Sequence, residues 1–429
     1  MEEKERNLSI ICAQQDPCFF SRMEHMFHKT RLFTPGPTPL LPAAQFAMAA
    51  ADLHHRTPEF RALYQRVLEQ LRTFVGSQND VVLLTSSGTG AMEASISNLT
   101  SPGDRVLVLT AGKFGERWTG LAKAFGCQPD VVSAPYGQTL LLEAAKAALR
   151  SDTRLVLMQA TETSTGVRHD VKAVAEMLRS AGSDALLVVD AITGLGTTHL
   201  DMDAWGIDVL IGGSQKAVMI PPGLAYLAVS ERAWKRMETT KNPRYYFDLR
   251  KERKVAAKGE SAYTPGVALI AALGAAFDYI AAQAGGDLAK GRVSLVENAE
   301  TCAAMMRAAA PAMGMRLFAP EAPAAAVTAV MPPEGVDSGL IVKQLKSRFG
   351  TIVANGQGEM KGQLFRVAHL GFFDPLDMLA VIGALEQVTA DALPPSKFRL
   401  GDALAAAQRV LAERSHVAAQ AHLEIAAVR

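Results

Sequence analysis

"LLVVDAITGLG", residues 186–196, is an apolar run that ends in Asp190 and is followed by small residues. A run without polar interruptions is typical of a strand that is buried on both faces, as in a parallel sheet. Similar runs alternate with helical segments, which predicts an α/β protein with a largely parallel sheet covered by helices on both faces. The predicted strands are residues 81–84, 105–110, 154–160, 185–191 and 207–213, and helices are predicted at about 58–74, from Gly90 onward, at about 118–125 and at 171–182.

Length and composition exclude several classes of protein. A chain of 429 residues usually folds as two or more domains. With 44 Lys and Arg against 43 Asp and Glu, the formal charge of +1 gives no basis for a nucleic-acid partner or a polybasic membrane anchor. Four cysteines do not make a disulfide framework in a chain this long, so a cytoplasmic location is favoured. We therefore expect small molecules and further copies of the chain as partners.

The first 30 residues contain no apolar core of the kind that a secretion signal needs. No later run of about 18 uncharged apolar residues predicts a membrane-spanning helix. Cys12, Cys18, His25 and His28 lie near one another in the sequence, but their spacing does not match the close pairs of structural zinc sites. We therefore predict no metal site and interpret residues 1–30 as a loosely held leader.

"LLTSSGTGAMEAS", residues 83–95, predicts a strand, a turn rich in hydroxyl groups and the start of a helix. The free N–H groups of a helix start, together with Ser86, Ser87 and Thr89, suit an anion such as a phosphate. An ordinary capped helix explains the same residues. The stretch is not a Walker A loop, and it lacks the third glycine of the dinucleotide fingerprint.

A lysine follows the last predicted strand, in "GGSQKAVMIPPG", residues 212–223. Asp190 and Lys216 each follow a strand, and neighbouring strand ends would bring them to one pocket. A buried carboxylate needs a partner, and a lysine in an apolar enclosure becomes a nucleophile toward aldehydes. An anion cradle, an acid and a reactive lysine together favour pyridoxal 5'-phosphate, which is an aldehyde, a phosphate and a basic ring in one molecule.

The chain resembles the class V, fold-type I pyridoxal-phosphate-dependent aminotransferases, in particular the alanine/serine:glyoxylate (serine:pyruvate) branch. The resemblance runs from about residue 33 to about residue 390, and its nine motifs occur in consistent order. They are "TPGPTPLLP", "HHRTPEF", "TSSGTGAMEA", "GKFGERW", "TETSTGV", "VVDAITGLG", "GSQKAVMIPPG", "YTPGVALI" and "FRVAHLG".

By this resemblance, Lys216 would form a Schiff base with the cofactor and later carry the proton, and Asp190 would pair with the pyridinium nitrogen. Arg366, in "FRVAHLG", would grip the substrate carboxylate, although a lone arginine at a strand edge is otherwise more typical of a surface salt bridge. The remaining implied cofactor contacts are Ser87, Gly88, Thr89 and Gln215 at the phosphate, Thr264 from a second subunit, Phe114 stacked on the ring, Thr163 at the phenolic oxygen and Ile192 beneath the ring.

Some residues keep two interpretations. Relatives carry a tyrosine at the position of Ser261, and Tyr263 either replaces it at the phosphate or does not. The "HHR" segment at residues 54–56 is similar to segments near the active-site entrance of bacterial members, and His369 is either packed or catalytic.

The resemblance implies a homodimeric enzyme that moves the amino group of alanine or serine to glyoxylate or pyruvate. A cysteine desulfurase would share the fold, but Cys127 and Cys302 lie in or beside helical segments, and Gln215 precedes the lysine where desulfurases carry histidine. A non-catalytic binding protein of this fold is disfavoured because Lys216, Asp190 and Arg366 are all present.

The sequence predicts a large cofactor-binding domain with a mostly parallel sheet between helices and a smaller C-terminal α/β domain. The predicted ranges are a leader (1–30), the large domain (31–284), the small domain (285–393) and a C-terminal helical extension (394–429), for which packing on the domain is favoured over a free or oligomeric role.

Overall fold

The computed structural model describes residues 28–394 and 398–427, with the side chains of the last helix described to residue 415. The interpretation of Cys12, Cys18 and His25 lies outside these ranges. Among the described residues, no helix is both long and apolar enough to cross a bilayer. In the same part of the chain, no group of three or more His, Cys, Asp or Glu is arranged to hold a metal ion.

Strands and helices are numbered along the chain. The strands are β1 (Arg31–Phe33), β2 (Asp80–Thr85), β3 (Arg105–Thr110), β4 (Gln128–Ser133), β5 (Thr153–Gln159), β6 (Thr161–Glu162), β7 (Val167–Arg168), β8 (Leu186–Asp190), β9 (Val209–Gly213), β10 (Leu224–Val229), β11 (Arg316–Leu317), β12 (Val327–Met331), β13 (Thr351–Asn355) and β14 (Phe365–Ala368). The helices are α1 (Pro42–Ala50), α2 (Pro58–Val75), α3 (Gly88–Leu99), α4 (Lys113–Ala124), α5 (Leu142–Ala148), α6 (Val171–Ser180), α7 (Met202–Trp205), α8 (Glu231–Met237), α9 (Leu249–Ala256), α10 (Val267–Ala282), α11 (Leu288–Ala309), α12 (Ser338–Phe349), α13 (Pro375–Ala392) and α14 (Asp402–Ala427).

The larger sheet has the strand order β2-β10-β9-β8-β5-β3-β4. All of its strands run parallel except β10, which is antiparallel to both β2 and β9. One face packs on α2, α6 and α10, and the other on α3, α4 and α8. The mostly parallel α/β architecture that the apolar runs predict is therefore confirmed, and each of the five predicted strands is present.

The smaller sheet has the order β1-β13-β14-β12-β11 and packs on α11, α12, α13 and α14. Its first strand comes from the other end of the chain, because β1 pairs in parallel with β13, with Arg31 opposite Thr351. The segment after β1 therefore leaves the smaller sheet and enters the larger unit. The domain boundaries themselves stay a prediction.

A buried carboxylate joins the last helix to the one before it. Glu386 of α13 is only 2% exposed, and its oxygens accept hydrogen bonds from the N–H groups of Gly401, Ala403 and Leu404 at 3.2, 2.7 and 3.2 Å. The N–H groups at a helix start have no partner within the helix, and a negative charge there is favourable. Ala403 and Ala407 are fully buried in the same interface. The described part of the C-terminal extension therefore packs against the smaller sheet's helices.

We expect Glu386→Ala to loosen α14, because it removes several charge-assisted bonds to its first turn, at a cost of about 2 kcal/mol. Hydrogen exchange of residues 402–415 should become faster than in the wild type, and the thermal midpoint should fall. Glu413→Ala is the control, since Glu413 lies on the same helix and is exposed. Unchanged exchange in the Glu386 variant would contradict this role.

Candidate active site

The candidate site lies at the edge of the larger sheet where its parallel strands end. Ligands of open α/β sheets bind at this edge, outside the carboxyl ends of the strands. β8 and β9 are neighbours, with Asp190 opposite Ile211. Ser87, Gly88 and Thr89 follow β2, Phe114 follows β3, Thr163 follows β5, Asp190 ends β8 with Ile192 two residues later, and Gln215 and Lys216 follow β9.

Lys216 is buried, and the loop after β1 encloses its amine. Its Nζ donates to the carbonyl oxygen of Pro35, and Thr38 Oγ1 donates to the lysine's own carbonyl oxygen at 3.1 Å. A Cβ at Gly36, whose φ is +138°, would lie 2.5 Å from Nζ. Only glycine lets the backbone pass this close in this conformation. The segment of residues 35–38 thus forms one wall around the lysine.

Burial and two charged neighbours determine the protonation of Lys216. Desolvation lowers the pKa of its amine to about 8, Asp190 opposes that shift, and the guanidinium of Arg366 adds to it. A neutral amine is the nucleophilic form. About a tenth of Lys216 is therefore in the reactive neutral form at pH 7, whereas an exposed lysine is almost fully charged there.

Asp190 is a buried carboxylate that makes no ion pair closer than 4 Å to a described residue. Burial raises the pKa of its carboxyl to about 6, and Glu162 raises it further. The N–H of Ile192, which donates to Oδ1 at 2.9 Å, and the charges of Lys216 and Arg117 lower it. Because a buried negative charge is unfavourable without a partner, this carboxylate suits a cationic group of a ligand.

The start of α3 offers unused hydrogen-bond donors. Ser87 stands at the N-cap position, yet its side chain makes no capping bond and is exposed. A Cβ at Gly88 would lie 2.3 Å from Cδ1 of Ile192, so the close approach of these two segments requires glycine. Oε1 of Gln215 is buried without a hydrogen-bond partner among the described residues, but it is an acceptor, so only the NH₂ group of the same amide could donate to a phosphate. Free N–H groups and hydroxyls at a helix start are suited to a phosphate.

Phe114 and Thr89 are joined by an arginine that the sequence interpretation did not single out. The guanidinium of Arg117 donates to Thr89 Oγ1 at 2.9 Å, and its central carbon lies 5.2 Å from the centroid of the Phe114 ring. Since the arginine occupies a lone pair of the hydroxyl, Thr89 can still donate its own proton. Arg117 therefore ties the aromatic ring to the start of α3 and adds a positive charge there.

Arg366 reaches the site from the smaller sheet. It is 4% exposed, and it donates from Nη1 to the carbonyl oxygen of Thr163 at 3.2 Å and from Nη2 to that of Asn355 at 2.8 Å. Its Nε is buried without a partner, and burial lowers the pKa of the guanidinium to about 10, with Glu162 opposing that shift. The side chain of Thr163 donates to Thr193 Oγ1 at 2.8 Å. A buried guanidinium with an unused donor is suited to an anionic ligand.

Among the described residues, the side chains of residues 261–264 make no hydrogen bond to the candidate site residues named above. Thr264 is exposed and makes no side-chain hydrogen bond to a described residue. Tyr263 donates to the carbonyl oxygen of Tyr245 at 2.8 Å and accepts from Lys251 Nζ at 3.1 Å. Burial raises the pKa of Glu252, and the nearby Ser261 hydroxyl opposes that rise. The question of whether Ser261 or Tyr263 contacts a phosphate therefore stays open.

The histidines noted in the sequence lie in two environments. His369 is fully buried, burial lowers its pKa to about 3, and its Nε2 shares a 2.7 Å hydrogen bond with Thr328 Oγ1, as a packed histidine would. His54 is exposed at the surface, with its ring 4.6 Å from that of His55.

A second buried acid, Glu162, lies at the end of β6 and is fully buried beside the candidate residues. It lies in "TETSTGV", residues 161–167, a motif in which the family resemblance implies a role for Thr163 alone. The sequence contains a signal for Glu162, because an acid that closely follows an apolar strand is as unusual at residue 162 as it is at residue 190.

Comparison with known proteins agrees with the fold. The family described as aminotransferase class-V matches residues 43–359. A relative from Anabaena cylindrica named soluble hydrogenase 42 kDa subunit is 40% identical over 90% of this chain and 99% of its own, and an L-aspartate–glyoxylate aminotransferase from Paracoccus denitrificans is 35% identical over 89% and 96%. The crystal structure of an alanine–glyoxylate aminotransferase from Nostoc sp. is 29% identical over 87% of this chain and 97% of its own, with a TM-score of 0.78.

The Nostoc structure belongs to the fold-type I pyridoxal-phosphate-dependent transferases, and this chain shares that fold. The family match covers well over half of the chain and includes every strand of the larger sheet. The protein is therefore a member of the class-V aminotransferase family.

Proposed function

We propose that this protein binds pyridoxal 5'-phosphate and transfers the amino group of a small amino acid, alanine or serine, to glyoxylate or pyruvate. The observation that carries the proposal is the buried pair of Lys216 and Asp190 at adjacent strand ends, with Arg366 close enough to influence the lysine. An aldehyde, a basic ring and a substrate carboxylate would each meet a group of matching chemistry.

The residues present fit this cofactor. Ser87 and Gln215 hold unused polar atoms, and the glycine at residue 88 keeps the α3 start open to a close ligand. In the proposed assignment, Ser87, Gly88, Thr89 and Gln215 would hold the phosphate, Phe114 and Ile192 would contact the ring, Thr163 would bind its phenolic oxygen and Asp190 would pair with its nitrogen. When bound to Lys216, the cofactor supplies an electron sink for the substrate α-carbon.

Three groups of the chain would have separate roles in moving protons and in stabilising charge: Lys216, Asp190 and Arg366. The Lys216 amine, with its pKa of about 8, can both accept and return a proton near neutral pH. Asp190 is mostly ionised above its pKa of about 6, and a nearby cationic ring nitrogen would favour that form further. The guanidinium of Arg366 is fixed by the carbonyl oxygens of Thr163 and Asn355, so a carboxylate would meet donors that are already oriented.

A homodimer in the cytoplasm is part of the proposal. Thr264 is exposed and unbonded, and the neighbouring aromatic surface includes Tyr245, which is 78% exposed with its ring 5.9 Å from that of Tyr263. A second copy would cover these rings and would receive Thr264 at its phosphate. The low cysteine count supports the location.

The desulfurase alternative finds little support among the described cysteines. Cys127 is buried, with its Sγ 3.3 Å from Thr100 Oγ1, and burial raises its pKa. Cys302 is fully buried in α11, and burial raises its pKa to about 12. A thiol that attacks a substrate needs access and thiolate character.

The donor remains to be chosen by experiment, since one relative's name contains aspartate and another's alanine. The purified protein is incubated with glyoxylate and one ¹⁵N-labelled donor at a time: alanine, serine, aspartate or cysteine. We expect ¹⁵N-glycine from alanine or serine. Glycine labelled only from aspartate would correct the donor, and sulfide release from cysteine without labelled glycine would favour desulfuration.

The lowered pKa of Lys216 predicts a pH profile for the cofactor-free protein. Reductive methylation of this amine should rise as the pH increases through about 8, because the neutral form reacts and burial has moved its pKa down from 10.5. Asp190→Asn should move the midpoint lower still, since the aspartate favours the charged amine. Mass spectrometry of the peptide carrying Lys216 measures both. A midpoint near 10.5 would contradict the enclosed environment.

A further inference from the structure

Glu162 is a buried carboxylate whose two oxygens accept hydrogen bonds from four donors. It is 0% exposed. One carboxylate oxygen accepts from the N–H of Gly115 at 2.9 Å and from that of Phe114 at 3.2 Å, and the other accepts from the N–H and the hydroxyl of Ser164 at 3.1 and 2.5 Å. Four neutral donors thus surround one negative charge, and two of them are the free N–H groups of the first turn of α4.

These bonds fix the backbone of Phe114. Gly112, two residues before Phe114, shows how closely the start of α4 approaches Glu162, since a Cβ at Gly112 would lie 2.5 Å from Cγ of Glu162. The N–H of Lys113 donates to the Ser164 hydroxyl at 3.2 Å, which ties the first turn of α4 to the segment that follows β6. Because these bonds hold the backbone of Phe114, they also set the direction in which its Cβ leaves the helix.

The same carboxylate influences two charged groups of the site. Its negative charge raises the pKa of Asp190 and opposes the lowering of the pKa of Arg366. It bonds directly to neither, and its hydrogen-bond partners belong to α4 and to Ser164. Its charge therefore acts on these two groups through space, and its hydrogen bonds act on the start of α4 and on Ser164.

We propose that Glu162 is a positioning residue for the cofactor ring, which holds Phe114 in its stacking position by accepting the first N–H groups of α4. This inference rests on the proposed function. The length of the Glu162 side chain, which brings the carboxylate to the N–H groups of α4, then matters more for this role than its negative charge. No step of the reaction involves Glu162 itself.

Two substitutions separate reach from charge. Glu162→Gln keeps the length of the side chain, so its amide oxygen can still accept from Phe114 and Gly115 and its NH₂ group can donate to the Ser164 hydroxyl, while the N–H of Ser164 loses its acceptor. Glu162→Asp keeps the charge, but its side chain is one methylene shorter, so the carboxylate lies farther from the N–H groups of Phe114 and Gly115. Glu116→Gln is the control, because Glu116 lies on the same turn, is exposed and bonds through its side chain to Lys113 and Tyr136.

The measurement is the equilibrium binding of pyridoxal phosphate to the cofactor-free protein, together with the induced circular dichroism of the bound cofactor. We expect Glu162→Asp to weaken binding about 10-fold and to reduce the dichroic band, since it removes charge-assisted bonds that orient the ring's neighbour. Glu162→Gln should stay within about 3-fold of the wild type, because it keeps the bonds to α4. Thermal denaturation of the cofactor-free variants checks their folding.

A double variant tests whether the effect passes through Phe114. In a Phe114→Leu background, Glu162→Asp should cause little further loss, because non-additivity marks residues that act as one unit. Wild-type binding and dichroism in Glu162→Asp would overturn the inference, as would a larger loss in Glu162→Gln than in Glu162→Asp. A wild-type protein that binds no pyridoxal phosphate would instead overturn the proposed function.

Discussion

Lys216→Ala should abolish steady amino transfer and leave the protein folded. Removing the amine removes both the attachment point of the cofactor and the group that moves the proton, so kcat should fall by at least about 10³-fold. Folding should persist because the side chain is a desolvated cation with no ion pair closer than 4 Å to a described residue, and its loss relieves the cost of burial. Steady-state rates with alanine and glyoxylate, and thermal denaturation, measure the two effects.

The control for this variant is Lys172→Ala. Lys172 lies on α6, is exposed and pairs with Glu176 at 3.8 Å, so its loss should leave the rate within about 2-fold of the wild type. Full turnover in the Lys216 variant would show that the central assignment is wrong. Loss of folding in that variant would show that the lysine is structural.

Arg366→Ala should mainly weaken the capture of the amino acid. Two charge-assisted bonds to a carboxylate would be lost in a buried site, so KM should rise by about 100-fold, with a smaller change in kcat. The informative comparison is alanine against alaninamide, which lacks the negative charge. The wild type should strongly prefer alanine, and the variant should lose most of that preference.

Arg366→Lys refines the same test. A lysine keeps the charge but cannot bond to the carbonyl oxygens of Thr163 and Asn355 and present a planar pair of donors at the same time. Its KM should therefore lie closer to that of the alanine variant than to that of the wild type. An unchanged preference for alanine over alaninamide in both variants would place the carboxylate elsewhere.

The sequence was sufficient to predict the parallel part of the fold. Buried strands such as β8 are apolar up to their last residue, Asp190, so they are recognisable without long-range information. β4 was missed because it is an edge strand of sequence "QPDVVS", with a proline and an exposed face that remove the apolar pattern. β10 was also missed, although its residues are all buried, and its antiparallel direction follows from pairing with β2 and β9.

The candidate site was predictable where strand ends carry unusual residues. Asp190 and Lys216 stand out in apolar surroundings, and the strand order brings them together. The loop of Pro35 and Gly36 was not identified as part of the site, because its contact with Lys216 joins residues 181 positions apart. Arg117 was missed for a similar reason, since nothing local distinguishes a helical arginine that bonds to Thr89 from one that faces solvent.

The visible absorption spectrum of the purified protein tests the assignment of Lys216 most directly. With pyridoxal phosphate added, the wild type should show a band near the violet end of the spectrum that alanine or serine bleaches and glyoxylate or pyruvate restores, and Lys216→Ala should show no such cycle. A wild-type protein that develops no band with the cofactor, or a band that no amino acid changes, would contradict the proposed aminotransferase activity.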